Sequence, residues 1–195
     1  MIPYFHSLLR TISESIQKLD EGVFKQLVND SISVLNSGNK LVVSGLGKNV
    51  SICDKFVGSM ISLGLSACFL HTNSAIHGDM GIVKDGDLVI ILTKSGETSE
   101  SIYLTRLLQE RKVNIWLLTF EVESTLATLI TNKLVIRMEH EGDLWNIMPN
   151  NSTTLNLIIL QALAMQVAEK MNLQLEDFKR NHPGGHIGEV LKNDF

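Results

Sequence analysis

Cysteine is scarce in this chain: its 195 residues include two, Cys53 and Cys68. Neither belongs to a CxxC or metal-ligand spacing, which excludes a disulfide framework, a zinc ribbon and a dithiol redox site. Two buried, reduced thiols are expected instead, Cys53 in a predicted helix and Cys68 in a predicted strand. Runs of one charge are missing too. The net charge is -4 and the 17 Lys and Arg residues are dispersed, so the chain lacks the footprint of a phosphate-backbone binder and nucleic acid is not an expected partner. No stretch is long enough to cross a bilayer, which takes ~20 apolar residues. The most apolar one, "LNLIILQALAMQVA", is interrupted by glutamines. The opening "MIPYFHSLLR" has neither the charged nor the continuous apolar region of a secretory signal. These absences together give a cytoplasmic address.

What is present describes a globular protein. A hydrophobic fraction of 44% with 19% charged residues suits one well-buried domain, taken as residues 1–195, with 1–36 as an N-terminal helical segment. Amphipathic periodicity predicts helices from about Pro3 to Leu19 and Gly22 to Leu35, the second closed by "NSGN". After these, short apolar runs alternate with helices. "KLVVSG" precedes a helix over Asn49 to Leu63, "SACFLH" leads into a loop, and "DLVIILT" precedes a helix over Thr98 to Lys112. "VNIWLLT" comes next, then a short helix over Ser124 to Ile130, "KLVIRM", a long helix over Ser152 to Met171 and a small helical tail.

Those five runs are almost wholly apolar instead of alternating, as strands covered on both faces must be. The predicted architecture is therefore α/β, a three-layer αβα sandwich on a five-stranded parallel sheet of flavodoxin-like order, with helices at the N-terminus. Ligands of such sheets gather beyond the carboxyl ends of the strands, where helix N-termini point free N–H groups. Every unusual loop of this sequence falls at that edge: "SGLGKN", "HTNSAIHGDMG", "KSGETSE" and "EHEGDLWNIMPNNSTT".

The first of these loops is not a nucleotide site. "GLGKNV" starts like GxGxxG but carries Val50 in place of the third glycine, and the following strand ends in His71 where a ribose-binding acid belongs. Lys48 is followed by Asn49, not by Ser or Thr, so it is not a P-loop either. What remains is a tight Gly45–Gly47 turn that presents Lys48 at the ligand edge, or an ordinary surface lysine after such a turn.

"TKSGETSE" is more specific. Ser95 and Thr98 offer hydroxyls, Gly96 admits close backbone approach, and the next helix begins with unpaired N–H groups and a partial positive charge. That combination is a phosphate cradle, of a size for a small-molecule monoester. Lys94 can add charge, and Glu97 has to point away from any anion held there. Plain helix capping, with Glu100 answering the dipole, explains the same residues. Under the cradle reading, Glu100 lies one turn beyond the phosphate, where a carboxylate can work on a C–H bond held still by that anchor. His77 in "AIHGDMG" and Glu141 in "EHEGDLW" share a glycine-flanked loop setting, expected to be exposed or to face the site. Ser152, Thr153 and Thr154 of "NSTT" open the longest helix, another place for an anion or a sugar hydroxyl.

"GLGKN", "HGDMG", "SGETSE" and "HPGGHIG" together resemble the landmarks of SIS (sugar isomerase) domains, and among them of D-arabinose-5-phosphate isomerases. The likeness runs from the second helix onward. It implies interconversion of D-arabinose 5-phosphate and D-ribulose 5-phosphate through a cis-enediol, without metal or organic cofactor. The family's catalytic positions match Lys48, His77, Glu100, Glu141 and His182. The residues expected to bind the substrate are Ser44, Gly47, Asn49, Thr93, Ser95, Gly96, Thr98, Ser152 and Thr153. The family is also similar in forming homotetramers with sites completed by neighbouring subunits, so His182 is expected to act in a partner's pocket. The chain departs from the usual pattern at Asn49, at Lys94 and in "GDLWNIMPN", and it stops soon after "HPGGHIGEVL", so paired CBS domains are not expected. A non-catalytic sugar-phosphate sensor needs the cradle alone. Another SIS isomerase, such as a 6-phospho-3-hexuloisomerase, shares fold and loop without needing HPGG.

Overall fold

In the computed structural model, which describes residues 2–193, the apolar runs form β1 (Leu41–Gly45), β2 (Ala67–Phe69), β3 (Leu88–Leu92), β4 (Asn114–Thr119) and β5 (Asn132–Val135). They pair in the order β2-β1-β3-β4-β5, and every pairing is parallel. This is the expected flavodoxin-like order, with its switch point between β1 and β3. The chain leaves β1 and β3 toward opposite faces there, so a crevice opens between their two loops.

The helices are α1 (Ile2–Gln17), α2 (Glu21–Asn36), α3 (Asn49–Ser62), α4 (Thr72–Ala75), α5 (Ser99–Gln109), α6 (Thr125–Leu129), α7 (Asn151–Lys170), α8 (Leu175–Asn181) and α9 (Gly185–Asn193). Two cores explain why the strands read as unbroken apolar runs. Leu41, Val43, Leu88, Ile90, Leu92, Trp116 and Leu118 pack on one face with residues of α2, α3 and α7. Val42, Val89, Ile91 and Leu117, the residues between them, pack on the other face with α5 and α6. Successive side chains of a strand point to opposite faces, so a sheet covered twice needs apolar residues at every position. Among the described residues no helix is long and apolar enough to cross a membrane.

The segment after β2, expected as a loop, contains α4 and a 3-10 turn at Asp79–Ile82. His71 caps α4 by accepting the Asn73 N–H, and Gly78 enters the 3-10 turn at φ 115°, a backbone state open to glycine. Helical stretches of four residues are too short to show a 3.6-residue period. Both edge strands are shorter than their apolar runs, three residues in β2 and four in β5. Cys53 is buried and Cys68 half-buried, both as free thiols, and burial pushes the Cys53 thiol upward, with Asp54 adding to the shift.

Candidate active site

The loops after β1 and β3 enclose a cavity of about 330 Å³ at the switch point. Gly47, Lys48 and Asn49 line it from the β1 side, Thr93, Lys94, Ser95 and Thr98 from the β3 side, and Ser152 and Thr153 from the start of α7. Eight of the expected residues thus meet in one place, with Lys94 as a ninth wall residue. Gly47 makes the β1 turn at φ 57° and delivers Lys48 as the N-cap of α3 without a side-chain capping bond. Lys48 is exposed and forms no ion pair among the described residues. Thr98 is the N-cap of α5, and its hydroxyl likewise makes no capping bond. Capping therefore does not account for this hydroxyl. The starts of α3 and α5 both border the cavity, but the Asn49 and Val50 N–H groups of α3 already donate to the Leu46 and Gly47 carbonyls, so the start of α5 is the end better placed for an anion.

Gly96 carries the loop at φ 68°, and a Cβ there would lie 2.1 Å from Ser124 Oγ. Its carbonyl accepts the Leu126 N–H, and its N–H donates to Thr93 Oγ1 at 3.1 Å. Gly96 thus shapes the loop from beneath and does not line the cavity. Ser44 is also behind the wall, buried, with its hydroxyl 3.0 Å from that of Thr72. Glu97 points away from the cavity, as anticipated, with its carboxylate on Thr125 at the start of α6.

The ionisable residues are distributed differently. Glu100 and His77 line a second cleft with Thr72, Asn73, Ser99 and Tyr103. The two hollows share the first turn of α5: Thr98 and Ser101 face one, Ser99 and Glu100 the other. Glu100 is exposed, and its own backbone N–H and the Ser99 hydroxyl, 2.9 Å away, hold its carboxyl below the ordinary carboxylate value.

Glu141, expected to be exposed or to face the site, is completely buried. Its Oε2 accepts the backbone N–H groups of Asn150 and Ser152 at 3.0 and 2.9 Å, and its Oε1 lies 2.7 Å from Lys94 Nζ. Burial pushes its pKa up, but Lys94 and the two N–H groups outweigh that and hold it below the ordinary value. The start of α7, expected to receive an anion, is therefore already filled by a carboxylate of the chain itself. Placement in a glycine-flanked loop gave no sign of this, because the partners come from β3 and α7.

His182 is remote within one subunit. It ends α8, stacked on Phe178 with ring centroids 4.0 Å apart and with Nδ1 2.8 Å from the Phe178 carbonyl. The neighbouring Asn181 donates to the Ser62 carbonyl and lies beside Gly64, Leu65 and Ser66, just before β2 and so at the opposite edge of the sheet. Asn156 and Ser101 line the cavity without having been anticipated. Asn156 donates to Asn49 Oδ1 at 3.0 Å, while its own buried Oδ1 has no partner among the described residues. The signal was one amide inside the apolar run "LNLIIL".

A parallel sheet with a cavity at its switch point makes this a doubly wound α/β protein. Residues 34–166, more than half of the chain, match the SIS domain family, and the chain belongs to that family. It is 32% identical over 178 residues to arabinose 5-phosphate isomerase KdsD of Salmonella typhi, covering 91% of this chain and 54% of the relative. It is 33% identical over 175 residues to arabinose 5-phosphate isomerase KpsF of Escherichia coli, covering 90% and 54%. The chain therefore spans about half the length of these curated relatives. The solved structure of c3406 of E. coli CFT073 in complex with arabinose 5-phosphate superposes with a TM-score of 0.83 at 30% identity, covering 92% of this chain and 94% of that one. The fold alone is shared with the NanR protein of Vibrio vulnificus complexed with ManNAc-6P, at TM-score 0.74 and 16% identity, covering 98% of this chain and 68% of that one.

Proposed function

We propose that this chain is an aldose–ketose isomerase that interconverts D-arabinose 5-phosphate and D-ribulose 5-phosphate, or a closely related sugar phosphate. One observation carries the reading: a cavity framed by the start of α5, Lys48 and the Ser95 and Thr98 hydroxyls, with Glu100 and His77 across the first turn of α5. The phosphate occupies the 94–98 loop, and the sugar extends along that turn. Glu100 takes the proton from C2 of the open-chain aldose and returns it to C1 of the cis-enediol, while a proton moves from O2 to O1. The product is the ketose, and atoms and charge balance without an added reactant. Lys48 or an imidazole stabilises the developing oxyanion, which is worth ~3 kcal/mol for one well-placed donor. His77 or His182 opens the sugar ring, since an imidazole both gives and takes protons near neutrality.

The relatives' names and the sugar phosphate in one of their structures support this choice of substrate. The remoteness of His182 fits a homotetramer in which a neighbouring subunit supplies it, acting in the cytoplasm on a small molecule and not on nucleic acid or membrane. Packing of Ile12, Ile16 and Phe24 against the main core fits one SIS domain over residues 1–195, with 1–36 as its helical N-terminal segment.

Incubation with ribulose 5-phosphate in deuterated water tests the proposal. Arabinose 5-phosphate carrying deuterium at C2 is expected. Equal exchange into several sugar phosphates would assign a broader SIS isomerase, and tight binding without exchange would assign a sensor.

A further inference from the structure

Lys94 and Glu141 form a device that the isomerase scheme leaves unassigned. Lys94 follows β3 directly and is fixed at its backbone, where its carbonyl accepts the Phe120 N–H at 3.3 Å. Its side chain lines the cavity and is 41% exposed, whereas that of Glu141 is 0% exposed and does not reach the cavity. One carboxylate oxygen of Glu141 takes two N–H groups of α7, and the other faces the Lys94 ammonium at 2.7 Å. Its main chain is fixed as well, by Asn146 Oδ1 on its N–H at 2.8 Å and by the Asn151 N–H on its carbonyl at 3.1 Å. A carboxylate engaged in this way has no path to a substrate carbon. An ammonium has three donors, and the contact with Glu141 leaves the others to the cavity.

We propose that Lys94 is a second cation of the anion grip, beside Ser95 and Thr98, and that Glu141 is a positioning residue that holds Lys94 there and does not move the carbon-bound proton. The inference rests on the reading of this cavity as a phosphate site. Without Glu141, the lysine is a flexible chain on a loop and the start of α7 loses its anion. With Glu141, the β3 loop and α7 are clamped together and the ammonium is oriented before a ligand arrives, which lowers the ordering cost of binding. Glu141 therefore acts on affinity through Lys94.

The test uses the full chain, its Lys94→Met and Glu141→Gln variants and the double variant, with inorganic phosphate as the calorimetric probe and ribulose 5-phosphate as the turnover substrate. Each single substitution is expected to weaken phosphate binding about tenfold, the ratio carried by one charge-assisted hydrogen bond. The double variant is expected to match the singles within about twofold, because coupled residues are not additive. In turnover the loss falls on KM, and Glu141→Gln retains deuterium exchange at C2. Unchanged phosphate affinity in Lys94→Met overturns the proposal. So does a Glu141→Gln variant that binds phosphate normally but loses exchange by orders of magnitude, which would make Glu141 the base. If the parent protein does not isomerise ribulose 5-phosphate, the phosphate arm still decides the pair while the substrate reading alone fails. The double variant removes both charges at once and serves where a single variant does not fold.

Discussion

Glu97 and Thr125 are joined twice: the carboxylate accepts the Thr125 backbone N–H at 2.7 Å and its hydroxyl at 2.8 Å. The acidic side chain inside the 94–98 loop is thereby drawn off the cavity and onto the start of α6. The backbone bond first, and the hydroxyl second, hold its carboxyl below the ordinary value. A lowered folded-state pKa adds stability above the unfolded value, and that addition is lost as pH falls through the folded one. Glu97→Ala is therefore expected to melt lower than the parent at neutral pH, and the gap should close on acidification. Thermal melts across pH check this.

Gly96→Ala should damage both fold and grip. The residue is at φ 68° with Ser124 Oγ 2.1 Å from where a Cβ would stand. The left-handed backbone alone costs an alanine roughly 1–2 kcal/mol, and displacing the start of α6 adds to it. Urea titration should show a loss of about 2 kcal/mol or more, and inorganic phosphate should bind more weakly at temperatures where the variant is folded.

Glu100→Gln keeps size and polarity but removes the base. Turnover should fall by orders of magnitude while calorimetric binding of ribulose 5-phosphate stays measurable. Its own N–H and the Ser99 hydroxyl lower the Glu100 pKa, so the basic form persists through mildly acidic pH. The acid limb of kcat assigned to this group lies below the ordinary carboxylate range, and a pH–rate profile reads it.

Asp87 holds the amino edge of the sheet. It is buried and accepts hydrogen bonds from Lys40 Nζ at 2.6 Å, the Lys40 N–H at 3.1 Å and the Lys84 N–H at 2.7 Å. Burial pushes its pKa up, but these donors outweigh it and leave the value lowered, so its contribution exists above the unfolded value and fades in acid. Asp87→Ala leaves Lys40 unpaired and should cost about 3 kcal/mol in chemical denaturation at neutral pH.

The sandwich was legible in the sequence because double-sided burial makes strands such as "LVIIL" apolar at every position. That the 93–98 loop would line a cavity at the carboxyl edge of the sheet was legible because it links a central strand to a helix through glycine and hydroxyl residues. Glu141 was misjudged because its surroundings are non-local: Lys94 and the N–H groups of α7 are brought to it only by the fold. Asn156 escaped notice for a related reason, since a single amide in an apolar helix reads as tolerated until Asn49 is found against it. The expectation for His182 came only through resemblance, and one subunit leaves that imidazole beside the opposite edge of the sheet.

A crystal structure with bound ribulose 5-phosphate tests the central claim most directly. The expected result is a phosphate within hydrogen-bond reach of the Ser95 and Thr98 hydroxyls, with C1 and C2 turned toward Glu100. A phosphate at the start of α7 in place of the Glu141 carboxylate, or a sugar with its reacting carbons away from Glu100, would contradict it.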